Sequence, residues 1–106
     1  MEAEKLSSAV EAILFATEHP VPLAKFVEIF DGQSVEELDV KTAIDMLREK
    51  YQDRIFGFEI REAQGGYHFV TKAENAEWVR KFLQSRPFRL GKSTLEVLAI
   101  IAYRQP

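Results

Sequence analysis

Between Asp39 and Thr71 the apolar residues change their spacing once, and that change dictates the unit around which the rest of the chain must be arranged. In "DVKTAIDMLREKYQ", Val40, Ile44, Leu47 and Tyr51 recur at spacings of four, three and four with charged residues between them, which is one face of a helix. In "FGFEIREAQGGYHFVTK" the period becomes two. Phe58 and Ile60 alternate with Glu59 and Arg61, and beyond a Gly65-Gly66 turn Tyr67, Phe69 and Thr71 alternate with His68 and Val70. Alternation on both sides of a glycine pair predicts a β-hairpin.

Helical patterns flank this pair. "EKLSSAVEAILFATEHP" predicts a first helix from about Glu4 to Thr17, with Leu6, Val10, Ile13 and Leu14 on one stripe. Phe15 falls off that stripe, and Ala9, Ala12 and Ala16 add small apolar surface. Pro20 and Pro22 end this helix, and "PLAKFVEIF" begins a short second one with proline just inside its start. Leu23, Phe26, Val27 and Phe30 supply its buried face. Ser34 with Glu37 forms a capping box ahead of the third helix, and Asp39 is a second candidate cap. After the hairpin, "ENAEWVRKFLQS" predicts a fourth helix with Trp78, Val79 and Phe82 inward and Leu83 near the edge.

Three helices, a two-stranded hairpin and a closing helix describe a winged helix-turn-helix domain, mainly α with one small hairpin, over residues 1–85. A basic connector, "RPFRLGK", follows at 86–92. Residues 93–106 are expected to form an extra terminal helix, capped by Ser93 and Glu96, that opens a truncated second winged-helix domain. Six of its nine residues from Leu95 to Tyr103 are large and apolar. Leu95, Val97, Leu98, Ile100, Ile101 and Tyr103 surround such a helix, so they are expected to need a partner surface, more readily on a neighbouring molecule than on their own domain.

Composition narrows the function. Twelve aromatic residues can build a core in 106 residues, and the absence of cysteine excludes disulfides and thiolate metal sites. The longest apolar run is far short of the ~20 residues of a membrane span. "MEAEKLSS" has neither the basic start nor the apolar core of a signal peptide, so a soluble intracellular protein is expected. The net charge of −3 hides an asymmetry: residues 1–49 carry 4 basic and 11 acidic groups, residues 50–106 carry 10 and 6.

Three classes of function can be weighed against these residues. For catalysis there are two histidines, no nucleophile–base motif and no carboxylate pair at a dedicated spacing, so no catalytic, cofactor-binding or metal-binding residues are expected. For DNA reading, the outward positions of the third helix would be Lys41, Thr42, Asp45, Arg48, Glu49 and Lys50, close to neutral, and the "EAQGG" turn has no cation. The basic tract Arg80, Lys81, Arg86, Arg89 and Lys92 suits the end of a helix dipole. DNA contact is then expected to be weak and sequence-blind. Protein–protein interaction remains, favoured by the apolar surplus of the first and terminal helices.

Three stretches resemble the segregation and condensation protein B (ScpB) family: "VEAILFATEHPVPLAKF", "AQGGYHFVTKAE" and "STLEVLAIIAYRQP". The last is the most specific, because family members carry a near-identical "LE-x-LAIIAY-x-QP" where their second winged helix begins. The resemblance covers the whole chain and about the first half of a typical member. It implies a non-enzymatic scaffold without cofactors, cytoplasmic and nucleoid-associated, acting in chromosome condensation and segregation. Members of this family pair as homodimers through their N-terminal winged helices. They are held by the kleisin ScpA, whose ends bridge the SMC ATPase heads, and much of that contact falls on the C-terminal winged helix. The resemblance and the apolar surplus together place the expected homodimer contact on the first helix, around Val10, Leu14 and Phe15. The alternative reading is a winged-helix DNA-binding transcription regulator.

Overall fold

The structure, a computed structural model, describes residues 1–85. The expected connector at 86–92 and terminal helix at 93–106, with Leu95, Val97, Leu98, Ile100, Ile101 and Tyr103, lie outside the described residues. The elements run α1 (Ala3–Ala16), α2 (Leu23–Ile29), α3 (Glu37–Tyr51), β1 (Phe58–Ala63), β2 (Gly66–Thr71), a 3-10 turn (Ala73–Asn75) and α4 (Ala76–Gln84). This is the expected helix–hairpin order.

Leu6, Val10 and Leu14 recur at spacings of four along α1 and face the stripe Val40, Ala43, Ile44, Leu47 and Tyr51 of α3. Phe26 of α2 and Phe30, which caps its C-terminus, close one side of this core, and Ile60, Tyr67 and Phe69 of the hairpin close another. Each fully buried side chain of this size contributes about 1.5–3 kcal/mol. Tyr51, Phe58 and Phe69 pack ring against ring, with centroids 5.0–5.5 Å apart, and tie the foot of the hairpin to the end of α3.

The start of α3 differs from the expected cap. The Asp39 carboxylate accepts the Glu36 N–H at 2.9 Å, so the box pairs Glu36 with Asp39 and not Ser34 with Glu37. Ser34 has φ of 60°. That left-handed backbone is incompatible with an N-cap, which is extended.

The hairpin turn also lies one residue earlier than the glycine pair suggests. Gln64 and Gly65 have φ of 51° and 79°, the two positive values of a type I′ turn, while Gly66 opens β2 opposite Ala63. Gly66 has a separate duty. Val21 and Tyr67 exchange backbone hydrogen bonds of 2.8 and 3.0 Å, laying the Pro20–Pro22 segment along the second edge of β2. A Cβ on Gly66 would lie 2.7 Å from the Val21 carbonyl carbon.

Two expectations are corrected by burial. His68, whose alternation with Tyr67 and Phe69 predicts an outward side chain, is buried, and so is Val70; β2 lies between β1 and Val21, and its residues Gly66–Val70 are all shielded. On α4, Trp78 and Phe82 are 59% and 45% exposed, whereas Val79 and Leu83 are half-buried. The shielded stripe of this helix runs Ala76–Val79–Leu83, a spacing that turns Trp78 and Phe82 to the opposite side. Among the described residues no helix is long and apolar enough to cross a membrane.

Candidate protein-interaction surface

Polar chemistry is sparse. His19 is exposed and 3.9 Å from Glu18, whereas His68 is buried in the hairpin. Among the described residues no group of three or more His, Asp or Glu side chains could hold a metal ion.

The cations of α3 are engaged within the chain. The Lys41 ammonium donates to both carboxylate oxygens of Asp45 at 3.0 Å, and that hydrogen bond raises its pKa. The Arg48 guanidinium lies 5.9 Å from the centre of the Tyr67 ring, and Lys50 lies 3.8 Å from Glu11. Leu38 and Met46 stand exposed on the same helix. A helix whose charges pair locally and whose outward side carries leucine and methionine is suited to protein, and poorly suited to phosphates.

On α1 the structure separates the three residues expected at a dimer contact. Val10 and Leu14 are 0% exposed and belong to the domain's own core, so neither can touch a second chain. Phe15 is 50% exposed and lies on the outer side with exposed Ala12 and Ala16. The two alanines leave room for another helix to approach closely beside the ring. Helical periodicity alone identifies the off-stripe Phe15, while Val10 and Leu14 lie beneath that surface.

A second feature lies between α1 and α3. An open groove of about 700 Å³ runs along the two helices. Glu4, Val35 and Asp39 border one end, and Glu11 and Lys50 the other, so the helices run in the same direction. At the second end the Tyr51 hydroxyl donates to Glu11 Oε2. Burial first, and then this hydrogen bond, push the Tyr51 phenol up to about 12, so the group stays a donor throughout the physiological range. Sequence reasoning missed the groove. The available signal was Thr42 and Met46, four residues apart and each directly before a buried residue, Ala43 and Leu47, hidden among charged neighbours.

The sequence model of the segregation and condensation complex subunit ScpB matches residues 8–106. The chain belongs to the ScpB family. The segregation and condensation protein B of Syntrophotalea carbinolica is 39% identical over 106 residues, covering all of this chain and 52% of that protein. The crystal structure of ScpB from Mycobacterium tuberculosis superposes with a TM-score of 0.71 at 27% identity, over all of this chain and 65% of its own. A crystallised dimer of an ScpB N-terminal domain, complexed with an ScpA peptide, superposes with a TM-score of 0.67 at 28% identity, over 76% of this chain and 92% of that one. The chain spans about half the length of the curated ScpB relatives it matches. The fold it shares with the ScpB structures is the winged helix.

Proposed function

We propose that this chain supplies the self-associating, partner-engaging winged helix of a bacterial chromosome segregation and condensation scaffold, and performs no chemistry of its own. Its partners are a second copy of itself and an ScpA-type kleisin, through which it meets the SMC ATPase. It works in the cytoplasm at the nucleoid. The observation that carries this reading is the ScpB N-terminal domain that crystallised as a dimer with an ScpA peptide, nearly all of which this chain matches. The locally paired cations of α3 and the apolar outer side of α1 support protein contact over duplex reading.

The self-contact is assigned to the outer side of α1, centred on Phe15 with Ala12 and Ala16. A two-fold interface brings the same residue of both copies near the axis. The sequence contains no cysteine, so a single introduced thiol reports that proximity without background. Ala12→Cys or Ala16→Cys should form a disulfide-linked dimer on mild oxidation, because pairing needs Cα atoms within roughly 7 Å. Ile55→Cys, on the exposed loop after α3, should not. Equal cross-linking from all three positions removes the α1 assignment.

A further inference from the structure

We propose that the groove between α1 and α3 is the docking site for a short segment of the partner polypeptide that presents an apolar side chain beside basic residues. This rests on the partner reading above and names the surface that reading leaves open. Buried Leu6, Ala43 and Leu47 form the base of the groove. Ser7, Ser8 and Thr42 are too small to close it. Met46, 62% exposed, forms an apolar edge whose flexible thioether can adapt to an incoming side chain. The volume of about 700 Å³ falls within the range of roughly 300–1,000 Å³ typical of ligand pockets.

Charge selects the occupant. Glu4 and Asp39 border the end where the two helices begin, and Glu2, Glu36 and Glu37 adjoin them in sequence. Against these five carboxylates stand Lys5 next to Glu4, the Met1 ammonium, which donates to the Gln33 carbonyl at 3.1 Å, and about half a positive charge from each helix N-terminus. The excess is negative. It repels phosphate and attracts lysine or arginine. The far end is occupied by the Glu11, Lys50 and Tyr51 cluster, so an incoming chain places its basic residues at the Glu4 end and its apolar side chain against Met46.

The test uses the full chain and a fluorescein-labelled peptide from the central region of the ScpA of the same organism, read by fluorescence anisotropy. Met46→Lys and Thr42→Trp should each weaken binding at least tenfold, and Ile55→Ser should leave it unchanged. Raising salt from low to high should weaken wild-type binding several-fold. The Met46 methyl resonance of the wild-type chain, followed by NMR during the same titration, should shift, and it decides the point even where a variant folds poorly. Binding that leaves Met46 unmoved, with both groove variants at wild-type affinity, overturns the groove while the partner reading stands. No binding by the wild-type chain overturns both.

Discussion

His68 is the residue whose surroundings depart furthest from its ordinary chemistry. It is 6% exposed, its Nδ1 has no hydrogen-bond partner among the described residues, and Arg61 pairs with it across the hairpin. Burial first, and then the Arg61 charge, lower its pKa from the model-peptide value of 6.5. The folded chain therefore resists a proton that the unfolded chain accepts near that value. Stability is full above pH 6.5 and declines as the pH falls below it, because the unfolded state then binds more protons. His68→Leu removes both the titration and the unpaired nitrogen. Urea denaturation between pH 7.5 and 5 should show wild-type stability falling more steeply than that of the variant, with the variant at least as stable at the acid end. Parallel curves would contradict the assignment.

At the scale of elements, the hairpin owes its placement to a single close approach. Gly66 lets the Val21 backbone lie against β2, and Gly66→Ala puts a methyl group 2.7 Å from a main-chain carbon that cannot rotate away. The substitution should cost about 1–3 kcal/mol, the usual range for overpacking, and should be visible as a lower denaturation midpoint. Much of this element structure was legible beforehand. The i, i+4 stripes of α1 and α3 each follow one period, and the structure matches them, whereas along β1 only Ile60 is buried and Phe58 is 40% exposed. What escaped were features set by neighbours distant in sequence. His68 is buried on a strand that lies between β1 and Val21, and the second edge contact comes from Val21, whose flanking prolines read only as a turn. The orientation of α4 was misread because Trp78 and Phe82 are its largest apolar residues, while the shielded stripe is the one through Val79 and Leu83. The same limit applies to the candidate surface. Periodicity separated Phe15 from the core stripe, but it could not say that Val10 and Leu14 would be sealed beneath it. Nor could it show the α1–α3 groove, which exists only once two helices lie side by side.

At the scale of the whole molecule, the two proposed surfaces adjoin one another, because Glu4, Ser8 and Glu11 of the groove and Phe15 of the self-contact follow one helical stripe on the side of α1 away from Leu6, Val10 and Leu14. The inner side of α1 builds the domain, and its outer side is the proposed self-contact. The acidic groove beside α3 is kept for a partner segment. The charge asymmetry, −7 in residues 1–49, concentrates the acids on the half of the chain that forms the groove. Because Phe15 lies outside the buried core, self-association should be removable without unfolding the domain. Leu14→Ala should cost about 2–5 kcal/mol of stability as a core truncation. Phe15→Glu should leave the helical circular dichroism intact. The most direct measurement is therefore the solution mass by light scattering of the wild-type chain and Phe15→Glu at matched concentration. The expected result is twice the 12.2 kDa chain mass for the wild type and a single folded chain for the variant. A monomeric wild type, or a Phe15→Glu protein that remains dimeric, would contradict it.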